Sequence, residues 1–283
     1  MEELKSLVTD ILTDRKKLVP GVIATVSLAV GIRQLLKYSR SGVVTQCDSH
    51  YDFVIGSAGC VLANRLSASG KFKVLLIEAG DEETKYPAIP VPLLASQACT
   101  EPDAMWQDLT APQDNCQAYK DQRSYTQHGK VLGGGSSVNW MIYARGHRDD
   151  YDSWEQKGCE GWGWDNVKEY FKKMENYFMR DRDDLGHRGP LTVSLNNTYR
   201  ICDLLIEASA ELGVPENPCY NSGVNNVAYF MQYRILLCKG ATKSHTTIRN
   251  GERCSTAKAY LRPAMSRSNL HVITNAHVTK LCT

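Results

Sequence analysis

The chain has 283 residues, enough for one large domain or two small ones. Thirty-three Lys and Arg against 31 Asp and Glu leave a net charge of +2, so no strongly basic face is implied and nucleic acid is not an expected partner. The 10 cysteines include no Cys-x-x-Cys pair, which removes zinc-site and thioredoxin-like spacings and leaves free thiols in a reducing compartment as the plain reading.

Residues 1–46 read as a leader ending in a linker of small and polar residues. Leu18 to Ile32 is largely apolar, with Arg15, Lys16 and Lys17 before it and Arg33, Lys37 and Arg40 after it. As a helix this segment rises only about 22 Å, short of a bilayer core of about 30 Å. Pro20, Gly21 and Gly31 weaken it further. Three readings stand side by side: a signal anchor, an interfacial or packed helix, and a cleaved signal peptide. Residues 18–32 are therefore the place where membrane association is expected if the anchor reading holds. Glu2, Glu3, Asp10 and Asp14 oppose a mitochondrial transit peptide. Asn196-Asn197-Thr198 is a glycosylation sequon, a triplet common by chance.

From residue 51 the pattern becomes specific. Tyr51 to Ile55 reads as a short strand, Ala58 to Ser69 as a helix with Ala58, Leu62 and Leu66 on one stripe, and Gly70 as its terminator. Lys73 to Glu78 is a second strand whose apolar run suits burial on both faces. Gly56, Ser57 and Gly59 lie where the first strand turns into the helix, and Glu78 lies at the tip of the second strand. A helix N-terminus with glycines admits a pyrophosphate, and a carboxylate at the next strand end can accept a ribose hydroxyl. This unit, residues 51–80, is read as a dinucleotide-binding βαβ turn rather than a plain one. One glycine is missing: Ile55 runs straight into Gly56-Ser57-Ala58-Gly59, without the first glycine of Gly-x-Gly-x-x-Gly.

Glu82 to Gln127 holds five prolines and weak periodicity and reads as a long ordered loop. Gly129 to Ser137 is a second glycine cluster, followed by an apolar run from Val138 to Tyr143. Asn166 to Phe178 has helical spacing, with Asp165 as its cap. Leu191, Val193 and Leu195 alternate as a strand, and Ile201 to Leu212 is an amphipathic helix stopped by Gly213 and Pro215. Leu270 to Thr274 and Ala276 to Leu281 read as closing strands.

The run Gly129-Lys130-Val131-Leu132-Gly133-Gly134-Gly135-Ser136-Ser137-Val138-Asn139, with Tyr143, Gly146 and Asp152 at fixed offsets, resembles the N-terminal signature of the glucose–methanol–choline (GMC) oxidoreductases. Asp52 to Ile55, Leu75 to Gly80, Gly189 to Leu191, Ser255 to Ala257, Ala259 to Ala264 and Asn269 to Val278 carry the likeness from Tyr51 to Lys280, in a choline dehydrogenase-like flavour. The resemblance implies an α/β fold class: a Rossmann-type FAD-binding domain, incomplete here, with the beginning of an α+β substrate domain. It divides residues 47–283 into the βαβ unit at 51–80, the glycine signature at 129–152, the start of the substrate part at about 165–245 and return strands at about 269–281.

By the same resemblance Gly56, Ser57 and Gly59 face the pyrophosphate of FAD and Glu78 its adenosine ribose. Val131, Gly133, Gly134, Ser136 and Asn139 line flavin and pyrophosphate, and Val278 meets adenine through its backbone. Some members bond FAD to a histidine where this chain has Val138, so the FAD is expected to be noncovalent. The implied activity is FAD-dependent oxidation of the CH–OH group of a small alcohol. The catalytic histidine region of the family is not expected before Thr283, so none of the seven histidines is assigned to catalysis. A truncated enzyme, or a non-catalytic FAD-binding or degenerate fragment, is the corresponding expectation. Tyr233 to His245 reads as an insertion, and Cys254 replaces a tryptophan common in relatives. An NAD-linked dehydrogenase has no place for the Gly129 to Asp152 signature.

Overall fold

A computed structural model gives the fold, and it describes residues 43–45, 48, 50–55, 59–195, 200–223, 228–229 and 240–280. The apolar segment at 18–32, the turn residues Gly56 and Ser57, the sequon and most of the proposed insertion lie outside the described residues. Among the described residues, no helix is long and apolar enough to cross a membrane. Residues Val44–Thr283 form one compact unit.

In chain order the unit opens with β1 (Phe53–Ile55), α1 (Cys60–Ser67) and β2 (Val74–Ile77). A short α2 (Ala95–Ala98) precedes β3 (Met105–Leu109) and β4 (Tyr125–Gly129). Then come α3 (Gly135–Val138), α4 (Arg148–Gln156), α5 (Trp164–Met174), β5 (Glu175–Tyr177), β6 (Leu191–Leu195) and α6 (Arg200–Glu211). Five two-residue strands follow: β7 (Ala228–Tyr229), β8 (Ala241–Thr242), β9 (His245–Thr246), β10 (Ile248–Arg249) and β11 (Glu252–Arg253). A π-helical turn (Ala257–Leu261) running into α7 (Arg262–Ala264) leads to β12 (Leu270–Ile273).

The first sheet has the order β1-β2-β12, all parallel. Its central strand is the apolar run read from sequence: Val74, Leu75 and Leu76 are all buried. β1 is the edge, and Val54 is exposed there. The last carbonyls of α1 lack i+4 helical partners, and the segment leading into β12 supplies side-chain donors for them. Arg267 Nη1 donates to Asn64 O at 2.6 Å, and Asn269 Nδ2 donates to Ser67 O at 3.0 Å. A cation there also meets the negative end of the helix dipole. The expected strand over 276–281 is not formed by the described residues. Asn275 enters the left-handed region at φ 56° and breaks the strand after Ile273. The chain still runs beside the tip of β2, where Asn275 N donates to Gly80 O and Ala276 N to Glu78 O.

The proline-rich stretch holds more order than its sequence shows. β3 and β4 pair antiparallel from Met105↔Gly129 to Leu109↔Tyr125. Their apolar side chains do not alternate along the strands, which hid them. Ala88, Ile89, Ala98, Ala104 and Met105 pack with Val131 and Val138 in a core beneath the second glycine cluster.

The expected helix at 166–178 is shorter. It starts at Trp164, whose N–H is capped by Asp152 Oδ1 at 2.9 Å, while Asp165 pairs with Lys168. It ends at Met174 because Glu175–Tyr177 turns into a strand in the sheet β5-β6-β9. Glu175 is drawn into the interior by Arg145, and both side chains are fully buried. Arg145 Nε donates to Glu175 Oε1 at 2.7 Å, and its Nη1 donates to Asp184 O and Asn221 O. Burial pulls the Arg145 pKa down, but the hydrogen bonds and charge of Glu175 outweigh it and leave it above the ordinary value. Tyr143 also donates to Glu175, and burial pushes its phenol far up. Asn221 Nδ2 reaches the Tyr143 carbonyl at 3.2 Å and the Tyr177 hydroxyl at 2.9 Å. His245, the last residue of the stretch read from sequence as an insertion, sits at the end of this network, stacked on Tyr220 and bonded to Tyr177.

Leu76→Ala in the central strand should lower unfolding stability by about 2–5 kcal/mol, and Val54→Ala at the edge by under about 0.5 kcal/mol, as read by urea denaturation. Burial holds the His245 pKa at about 4, against a backbone hydrogen bond with Pro218 that raises it. The unfolded chain therefore takes up this proton first. Stability conferred by neutral His245 is complete above about pH 6.5 and is lost as pH falls toward about 4, up to about 3 kcal/mol in all. Denaturation midpoints across that window should flatten in His245→Gln.

Candidate cofactor site

The site is built where two distant glycine motifs meet. Gly80 follows the tip of β2, and a Cβ there would overlap the Lys130 carbonyl. Without one, the segment after β4 settles onto the β2 tip: Leu132 N donates to Asp81 O at 2.9 Å, and Val131 bridges to Asp81. Lys130 N is fixed on the other side by Ala104 O at 2.7 Å. Gly133 and Gly134 then adopt φ +87° and +53°, and Gly134 N closes a turn onto Val131 O. The short helix α3 begins at Gly135.

A third segment joins from far along the chain. Ser136 Oγ donates to Gly133 O at 2.6 Å and accepts from Thr256 N at 3.0 Å. Cys60, the first residue of α1, is buried, and burial pushes its thiol up to about 11, so it stays protonated and acts as packing. The glycine loop and Thr256 meet at one cleft. It has a volume of about 490 Å³ and is lined by Gln127, His128, Gly129, Gly133 to Ser136 and Thr256.

Of the residues singled out from sequence, Gly133, Gly134 and Ser136 line this cleft, and Gly59 is the N-cap of α1. Glu78 is buried at the β2 tip, where its Oε1 accepts from Gly80 N at 2.9 Å. The Val131 side chain packs in the core under the loop and is absent from the cleft lining. Asn139 is exposed, with its Oδ1 accepting from Met141 N at 2.9 Å. Val278 is half-exposed and follows the residues paired with Glu78 and Gly80. Gly56 and Ser57 lie outside the described residues.

Thr256, Gln127 and His128 had no assigned role in the sequence. Thr256 stood in a matched segment, Ser255-Thr256-Ala257, and that was the available signal. Among the described residues no cluster of His, Cys, Asp and Glu could hold a metal ion.

Residues 51–283 match the family model for GMC oxidoreductase. The chain belongs to that family. It is 37% identical over 241 residues to an oxygen-dependent choline dehydrogenase of Vibrio vulnificus (strain YJ016), covering 82% of this chain and 40% of that protein. It is 37% identical over 236 residues to an alcohol dehydrogenase [acceptor] of Pseudomonas putida, again covering 82% and 40%. Among solved structures, pyridoxine 4-oxidase from Mesorbium loti matches with a TM-score of 0.68 and 31% identity, over 80% of this chain and 42% of that one. The chain spans about 40% of the length of these curated relatives. Its fold is the family's FAD-binding fold, with a Rossmann-type sheet that is incomplete here.

Gly129 and Gly135 differ in what a methyl would meet. At Gly129 it would overlap the backbone of Gly134, and at Gly135 it meets open space. Gly129→Ala should therefore cost about 2 kcal/mol or more of stability, and Gly135→Ala less than about 0.5 kcal/mol, as measured by thermal unfolding.

Proposed function

We propose that the chain binds FAD noncovalently as the N-terminal part of a GMC-type oxidoreductase acting on the CH–OH group of a small alcohol, choline being the first candidate. The observation that carries this reading is the glycine-lined cleft, to which Thr256 is brought from a distant segment, with a buried carboxylate at the neighbouring strand tip. The residues present fit the cofactor. Glycines leave backbone N–H groups approachable, as a pyrophosphate requires. Glu78 would accept from the adenosine ribose, and the backbone from Asn275 to Val278 would border the adenine. Val138 supports the noncovalent mode, since its side chain is buried in the core below the loop.

When bound, FAD supplies the acceptor for the hydride of the alcohol carbon. This chain's part is to orient it: Gly133 to Ser136 shape the cleft floor, Thr256 fixes Ser136 from the far side, and Asn139 stands at the end of the loop. The substrate choice follows from the relatives named for choline and for alcohols. A second reading, FAD binding without turnover by this chain alone, is favoured by the cleft lining. Among the described residues that line it there is one imidazole, His128, beside glycines, hydroxyls and an amide.

Titration of the full chain with FAD should give a yellow complex absorbing near roughly 450 nm, with the flavin released intact on denaturation. Flavin that stays with the precipitated protein overturns the noncovalent mode, and a colourless folded protein overturns the reading altogether. Gly135→Ala should weaken FAD while leaving stability unchanged. Alcohol-dependent dye reduction by the FAD-loaded chain separates the two readings.

A further inference from the structure

Three arginines are drawn into the interior, and they differ in what balances them. Arg145 faces Glu175, and Arg262 faces Glu82 and Glu83. Arg253, on β11, is 2% exposed, yet among the described residues no carboxylate forms an ion pair with it. Its partners are carbonyls and one amide oxygen. Nε donates to Ile89 O at 2.7 Å, and Nη1 donates to Asn139 O at 2.6 Å, Asn139 Oδ1 at 3.0 Å and Ser136 O at 3.4 Å. Nη2 is buried without any hydrogen-bond partner. Burial lowers its pKa to about 10, so the guanidinium remains charged at neutral pH.

The location gives this charge a use. Ser136, which it touches, lines the cleft, Asn139 follows at the end of the glycine loop, and Thr256, three residues beyond Arg253, donates to Ser136. Asn139 is exposed on the loop, and Arg253 grips both its backbone and its side chain from beneath. Nη1 reaches both acceptors of Asn139 while Nε holds Ile89, so the planar guanidinium ties two segments together in one fixed geometry, which a single ammonium does not reproduce. A buried cation with dipoles but no anion around it leaves the region short of negative charge.

We propose that Arg253 is a positioning residue of the cofactor cleft, fixing Asn139 from below and supplying the positive charge that an anionic dinucleotide meets above. This rests on the FAD reading. Loss of a charge-assisted hydrogen-bond set should weaken FAD at least about tenfold in Arg253→Met, with Arg253→Lys recovering part of the loss because it keeps the charge. The melting temperature of the FAD-free chain should fall in Arg253→Met, because the carbonyls of Ile89 and Asn139 lose their donor, and in Arg253→Lys the FAD affinity should recover further than the melting temperature does.

The experiment is FAD titration and thermal melting of wild type, Arg253→Met, Arg253→Lys and Asn139→Ala, each as the full chain. Asn139→Ala changes an exposed residue, so it keeps the test open if Arg253→Met does not fold; it should also weaken FAD. Wild-type affinity in Arg253→Met or in Asn139→Ala overturns the proposal. So does a parallel fall of melting temperature and affinity in both Arg253 variants, which marks a purely structural arginine. Failure of wild type itself to bind FAD removes the ligand and overturns the FAD reading with it.

Discussion

The close approach of two backbones at Gly80 and Lys130 is the constraint on which the site depends. A Cβ at Gly80 would occupy the space of the Lys130 carbonyl, so that one position decides whether the segment after β4 can lie on the tip of β2. Once it lies there, Asp81 holds Leu132, the turn at Gly133 and Gly134 is set, and Ser136 is presented to Thr256. The glycine loop is therefore not free-standing. Its shape is inherited from the strand that carries Glu78, which keeps the pyrophosphate and ribose sides of the proposed site in one rigid piece.

The second half of the described fold is organised by the Arg145–Glu175 pair. Removing one partner of a fully buried pair leaves an uncompensated charge, at a cost of about 3–5 kcal/mol. The carboxylate also accepts from Gly186 N and from Tyr143, so its acceptor capacity is filled. The signature residues beyond the glycines thus serve the scaffold. Tyr143, with its neighbour Arg145, tethers the sheet β5-β6-β9, and Asp152 caps α5.

What could be read from sequence followed the strength of local pattern. β2 was legible because four apolar residues in a row between turn signals suit only a doubly buried strand. The βαβ unit and the glycine cluster were legible because few residue types tolerate such backbone paths. The β3–β4 hairpin was hidden, since exposed polar side chains on both faces give no alternation. The helix end at Met174 was hidden as well. Tyr177 and Phe178 continue the helical stripe, and only the distant Arg145 pulls Glu175 out of register. Thr256 and Arg253 belong to the site through contacts across more than 110 positions, with no local signature. The FAD-binding fold and family membership were thus readable, while the layer supporting the cleft required three dimensions.

β12 has a consequence for how the protein comes into being. The segment leading into it clamps α1 through contacts 203 and 202 positions apart, and its strand completes the sheet begun by β1 and β2. During synthesis the βαβ unit leaves the ribosome long before its third strand exists. One side of β2 must wait unpaired while nearly all the described chain is made. Parallel pairing over such separations carries a large loop-closure entropy and forms slowly. The nascent chain is therefore a natural client for chaperones, and its yield on expression should be governed by the lifetime of that waiting strand more than by the stability of the finished fold.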